Sequence, residues 1–427
     1  MRRRATAAPC VGAAAALVMA GIAPGGASAA AQDGRPDWLT RDTLTGDWGG
    51  GRTWLEEHGI EVKPRLTQFY QGLAAGEGDL GYEYGGKADL LVTADLSELG
   101  FWDGFSMTVH GEYNFGTSVN GRGGVLIPVN SALNFPGIEG ADAYDLSSIY
   151  FVQEFGESNT VAFGKINMID MVQGARPFLG GAGIDAFWNL TFVAPPTGTV
   201  PAYLLGALST VRTERATYRL WVYDPASYVN ELSLADAFED GVTVRGSIQW
   251  PVTIAGRRGS QGLTALYSTQ DGTDLSNLDE ILVPTPEPGT VATKNSRYYF
   301  AYSFDQYLYQ PAARADEGIG LFGQFGISDG NPNALHWTLL VGLGGTGLVP
   351  GRSADVWGIG YYYDGLSGYL KDALAPAVQL RDEQGLEIFY DLALTPWCNL
   401  GVDLQVIRPG LASDTAALPG LRAVIRF

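Results

Sequence analysis

Cysteine is nearly absent: Cys10 and Cys398 are the only two in 427 residues. Cys10 falls inside the export signal read below, so one thiol remains and no intramolecular disulfide forms. A small disulfide-stapled scaffold is excluded. Long apolar runs are missing too. No stretch beyond the first 30 residues suits a membrane-crossing helix. If the chain spans a membrane it must do so as a closed barrel, because lipid leaves unpaired backbone groups unsatisfied. Histidine is scarce, and His58, His110 and His336 show no metal-ligand spacing. There is no G-x-S-x-G. Carboxylates are plentiful, but nothing in the sequence places a pair at the separation glycoside hydrolysis needs. The reading is therefore a non-enzyme, with no cofactor and no metal. Basic residues are few, 27 against 46 acidic ones. That balance argues against nucleic acid as a partner.

The start of the chain reads as a secretory signal. "MRRR" is a positive n-region, "VGAAAALVMAGIA" a short apolar core, and Ala27, Ser28 and Ala29 a small-residue cleavage site. The expected division is a signal peptide over 1–30, an N-terminal periplasmic segment with a short helix over 31–59, and a barrel over 60–427. Loss of Arg2, Arg3 and Arg4 takes the formal charge from -19 to -22.

What is abundant is glycine and aromatic residues: 58 Gly, 21 Tyr, 18 Phe and 10 Trp. Both suit strands and turns. Apolar residues alternate with polar ones in segment after segment. In "ADLLVTADL", Ala88, Leu90, Val92 and Ala94 oppose Asp89, Thr93 and Asp95. In "FSMTVHGEYNF", Met107, Val109, Tyr113 and Phe115 oppose Thr108, His110, Glu112 and Asn114. "LEIFYDLAL", "LGVDLQV" and the closing "LRAVIRF" repeat the pattern. Each is a strand with one greasy and one wet face. A soluble sandwich or a membrane barrel would both explain that.

The connections favour the barrel. Short links ("FGESN", "AGRRGS", "TPWCN") alternate with long ones near 116–145, 167–201, 271–295 and 365–384. That is the rhythm of an outer-membrane barrel with tight periplasmic turns and large outer loops. The fold expected is an all-β transmembrane antiparallel barrel of about 16 strands, both ends on the periplasmic side, with a short N-terminal periplasmic helix. Tyr298, Tyr299, Phe300, Tyr307, Tyr309 and Tyr361 to Tyr363 are expected to form interfacial girdles. No internal domain boundary and no fixed-period repeat is visible.

One segment is not a strand. "LTGDWGGGRTWLEEHGIEV" contains a Gly-rich turn, a helical stretch from Arg52 to His58, and a stop at Gly59. With Leu44, Asp47, Trp48, Arg52, Leu55 and Ile60, it resembles the opening box of the carbohydrate-selective porins, the OprB family. "FVQEFGESNTVAFGKIN", "GIGLFGQFGISDGNPN", "WGIGYYYDGLS", "DEQGLEIFYDLALTPWCNLGVDLQVIRP" and "GLRAVIRF" are similar to later parts of that family. The resemblance implies a sixteen-stranded outer-membrane barrel for passive inward diffusion of small carbohydrates, monosaccharides such as glucose. It also implies that the terminal Phe427 is read by the barrel-assembly machinery. Expected partners are small sugars and outer-membrane lipid, with the barrel a monomer or a homotrimer.

A sugar channel needs hydroxyl partners and an aromatic slide, and its binding must be weak enough to release. The long segment from Met168 to Pro201 holds Arg176, Asp185, Phe187, Trp188 and Asn189, which would serve if it folds inward. Alternation adds Asp89, Glu112, Lys165, Gln324 and Asp403 as lumen-facing candidates. Two other readings stay open. One is a general or cation-favouring porin without sugar selectivity, in keeping with the acidic balance. The other is a secreted sugar-binding β protein without a pore.

Overall fold

The structure is a computed structural model that describes residues 37–427, apart from 138–141, 174–183, 196–199, 232–233, 279–291 and 312–317. Sixteen antiparallel strands close into one barrel. The first half contains β1 (Ile60–Leu73), β2 (Gly81–Asp95), β3 (Phe105–Gly116), β4 (Ala143–Phe155), β5 (Asn159–Asn167), β6 (Tyr203–Arg212), β7 (Thr217–Tyr223) and β8 (Thr243–Ile254). The second contains β9 (Arg257–Ser268), β10 (Arg297–Tyr309), β11 (Ile319–Ser328), β12 (Leu335–Thr346), β13 (Val356–Leu366), β14 (Glu383–Thr395), β15 (Cys398–Arg408) and β16 (Ala416–Arg426). Each strand pairs with its sequence neighbours. The seam is closed by β1 on β16, with Arg65 opposite Arg426 and Tyr70 opposite Leu421. Closure leaves no strand edge unpaired, as lipid demands.

The period-two reading holds along the wall. On β15, Val402, Leu404 and Val406 are exposed on the outside, while Asp403, Gln405 and Ile407 are buried inside. On β16, Leu421 faces out and Arg422 is buried. Outward aromatics gather at both rims. Tyr70, Tyr82, Tyr84, Tyr298 and Phe300 lie near the long links, and Phe101, Trp102, Phe155 and Tyr309 near the short ones. Three residues assigned to girdles from sequence are not in them. Tyr299, Tyr307 and Tyr362 are buried on the inner face: Tyr299 and Tyr362 fall one residue out of step with their aromatic neighbours, and a register shift in the pairing of β10 with β11 separates Tyr307 from the exposed Tyr309.

The long links 117–142, 168–202, 269–296 and 367–382 stand where the sequence placed them. A fifth, 224–242, was not anticipated. At the opposite rim lies α1 (Gly51–Glu57), followed by Gly59 in the left-handed region at φ 73°. Asp47 accepts from the Thr53 N–H and hydroxyl at 2.8 and 2.9 Å. The Arg52 guanidinium lies over the Trp48 ring and donates to the carbonyls of Gly46, Val62 and Phe427. The last residue is thus held from two sides, since the Phe427 N–H also donates to the Pro64 carbonyl at 3.0 Å. Deleting Phe427 removes both contacts, each worth about 1 kcal/mol. The expected result is a reduced yield of barrel that shifts on a gel only after heating. A normal yield would sink the idea.

Candidate pore constriction

Two segments leave the rim that carries the long links and fold into the lumen. The first is 117–137 and the second 184–195. Both are apolar enough to build cores against the inner wall. Val119, Val125 and Val129 pack with Leu73, Ile407, Ala416 and Leu418. Ile184 and Trp188 pack with Phe69, Ala132, Leu133 and Val424. Phe187 and Phe192 pack with Phe322, Leu340, Tyr362 and Phe389. The wall is shaped to receive them. A Cβ on Gly420 would stand 2.5 Å from the Trp188 ring, and one on Gly360 2.5 Å from Phe192.

A segment that crosses a lumen exposes backbone N–H groups that must find acceptors. Two glutamates on β14 supply them. Glu383 accepts from the N–H groups of Leu126, Ile127 and Gly410 at 2.7, 3.0 and 3.1 Å. Two steps of alternation further, Glu387 accepts from those of Trp188 and Asn189. The two segments also hold each other: Ser131 N–H donates to the Trp188 carbonyl and Leu190 N–H to the Pro128 carbonyl. Gln405 bridges them, donating to the Val129 carbonyl at 2.7 Å and accepting from Asn189 Nδ2 at 3.2 Å. Thr191 donates to Asp364 at 2.9 Å. Arg422 donates to the Ala186 carbonyl at 2.9 Å and pairs with Asp391 at 2.8 Å.

On the opposite side of these segments lies a buried charged cluster from β1 to β3. Arg65 pairs with Asp89 at 3.1 Å, and Lys87 pairs with Glu112. His110 sits between Asp89 at 3.1 Å and Asp170 at 2.6 Å. Glu112 also accepts from Asn167 and from the Tyr203 hydroxyl. Lys87 reaches across to the Phe135 carbonyl of the first inward segment at 3.1 Å. The gap left between this cluster and the segments is about 10 Å³, lined by Arg65, Lys87, Asp89, Glu112, Ser131 and Ile184 among others. That is room for about one water. Asp89, His110 and Glu112 offer donor atoms within 4.8 Å of one another, the spacing of a metal site. Lys87 and Arg65 already bring positive charge to the same carboxylates.

The sequence-based candidates divide accordingly. Asp89 and Glu112 are in the cluster. Lys165 is buried beside it, donating to Asp145 and to the Glu231 carbonyl at 3.0 Å each. Asp185 is partly exposed and paired with Arg426 at 2.6 Å. Gln324 is on the inner face of β11, donating to the Tyr299 hydroxyl at 3.1 Å. Asp403 is buried beside Gln405. Arg176 lies outside the described residues. Trp188 and Asn189 are fully buried. The aromatic slide expected of Trp188 is not offered here: its ring is enclosed by Phe69, Arg422 and Gly420. Sequence reading missed Lys87, Asp170 and the latch role of Glu383 and Glu387. Alternation in "EQGLEIFYDLAL" marks both glutamates as inward, but only the folded segments show what they hold.

At the rim of the long links, Asp382 ties the 367–382 link to the wall. Burial raises its pKa, but Lys371, the Leu366 N–H and the Tyr363 hydroxyl outweigh that and hold it below the ordinary carboxylate range.

The model of the carbohydrate-selective porin, OprB family, matches residues 80–427. The chain belongs to this family. The match begins at Leu80, so the opening box between Leu44 and Ile60 lies before it. The fold is similar to the high-pH structure of Pseudomonas putida OprB, with a TM-score of 0.77 at 20% identity. That comparison covers 91% of this chain and 99% of the other. The low-pH structure of the same protein gives a TM-score of 0.55 at 16% identity, with the same coverage. At these identities the likeness is one of fold. A comparison with curated proteins found no match. As a member of the family, the protein is an outer-membrane barrel and a porin for carbohydrates, a transport channel.

Proposed function

We propose that this porin passes small neutral sugars of monosaccharide size by passive diffusion into the periplasm, after export by a cleaved N-terminal signal. The long links then face outward, and α1 with both chain ends faces the periplasm. The observation that carries the reading is the pair of inward segments latched across the lumen. They leave a passage far narrower than a bare sixteen-stranded barrel would. Asp185 and Gln324, with Arg176, are the candidate hydroxyl partners; Asp89 and Glu112, buried and paired with Arg65, Lys87 and His110, hold the wall opposite the segments. Trp188, Asn189 and Asp403 act by holding the constriction in place, and Lys165 braces the wall behind it. Lipid contacts the outer apolar face, and Phe427 is the residue read by the assembly machinery. A homotrimer and a monomer are both compatible with the apolar exterior.

Liposome swelling with purified protein tests the reading. Glucose is expected to enter faster than a disaccharide, and faster than an amino acid of similar size. Swelling that follows size alone would replace a sugar-selective pore with a general one.

A further inference from the structure

The inward segments do not fill the lumen evenly. Their hydrogen bonds go to β1 to β3 and to β13 to β16. There the inner-face side chains are shut away: Asp364, Glu383 and Glu387 are each 0% exposed. The wall made by β7 and β8 differs. Its inward Arg219, Trp221, Arg245 and Gln249 stay partly exposed, while the alternate residues Tyr218, Leu220, Val222 and Val244 face out. Tyr223 and Thr243, at the end of this face nearer the long links, are buried, so the accessible stretch of the wall runs from Arg245 and Trp221 to Gln249.

The charges on that wall also differ from those beside the inward segments. Arg65, Lys87, Lys165, Arg422 and Arg426 each pair with a carboxylate. Arg219 and Arg245 pair with none among the described residues. The Arg245 guanidinium sits over the Trp221 ring, 4.1 Å from its centroid, which holds it against the wall. Arg219 is bonded to Gln249 at 3.3 Å. Trp221 is directly opposite Arg245 and Arg219 opposite Ser247, so the two arginines are diagonal neighbours on one face. Two guanidinium forks with no carboxylate partner among the described residues are a preformed place for a carboxylate. The nearby Ser247 and Gln249 provide partners for hydroxyls.

We infer that the β7–β8 wall is a track for anionic sugars, with Arg219 and Arg245 receiving the carboxylate of a sugar acid as it passes. The inference rests on the reading of the protein as a sugar channel. It extends the solutes from neutral sugars to their acid forms. Binding there is weak, because the pair is wet and screened by salt. Weak binding is what a channel needs if the solute is to leave.

The test is block of single-channel current in planar bilayers by glucuronate, glucose and acetate, in dilute and in concentrated potassium chloride. In dilute salt, glucuronate is expected to block at a concentration roughly fivefold lower than glucose, the ratio that ~1 kcal/mol of ion pairing provides. The ratio is expected to fall toward one in concentrated salt. In Arg219→Gln/Arg245→Gln it is expected to vanish while glucose block remains. The wild-type comparison needs no variant: glucuronate no better than glucose in dilute salt overturns the inference. So does a ratio that survives in a double variant shown to be folded by its heat-dependent gel shift. Equal block by acetate and glucuronate also overturns it, because the wall would then attract any anion. Glucuronate block without glucose block would retire the neutral-sugar reading and leave the anionic track supported.

Discussion

Replacing Glu387 with alanine is expected to raise single-channel conductance and to blunt discrimination between glucose and a disaccharide. The carboxylate is the acceptor for two successive N–H groups, those of Trp188 and Asn189. Both residues are fully buried, so no water reaches those groups in the closed arrangement. Orphaning two buried donors costs about 3 kcal/mol in total. That shifts the ratio of released to latched segment by about a hundredfold. The cores around Phe187 and Trp188 oppose release, so the barrel itself is expected to survive, with its gel shift unchanged. Glu383→Ala is the parallel change on the first segment. Conductance and discrimination both equal to those of the parent would show that the apolar cores alone hold the constriction.

The second large effect is on stability. Arg422 is buried, pairs with Asp391 at 2.8 Å, donates to the Ala186 carbonyl and lies under the Trp188 ring. Breaking a buried pair from one side leaves an uncompensated charge and costs about 3–5 kcal/mol. Arg422→Met is therefore expected to lower the temperature at which the folded band is lost on a gel. Adding Asp391→Leu is expected to recover much of that loss, because removing both charges spares the desolvation penalty. An unshifted single variant would mean that Asp391 is satisfied by Asn399, its other partner.

The barrel was legible in the sequence because its rules are local. A side chain's face follows from counting by two, and a chain that spans a membrane with strands must close them, because lipid satisfies no unpaired backbone group. Asp89, Glu112 and Asp403 were placed on the inner face by that count alone. The same count, applied to Tyr298 and Tyr299 together, would have separated girdle from lumen. The opening box showed itself as a non-strand, but its purpose is non-local: Arg52 reaches the carbonyl of Phe427 at the other end of the chain.

The site was legible only in part. Composition showed that the segment around Trp188 carries polar and aromatic groups. It did not show which would be spent on anchoring. Trp188 and Asn189 are buried because the segment meets Glu387 and Gly420, nearly two hundred residues or more away. Nor does alternation tell a paired cation from an unpaired one. Lys87 and Arg245 are both inward in strands, yet Lys87 meets Glu112 and Arg245 meets an indole. The sequence by itself determined the wall, its two faces and its closure, because backbone geometry and solvent demand them residue by residue. Only the tertiary structure decided where the lumen is filled and where it stays open, because that depends on contacts between segments far apart in the chain.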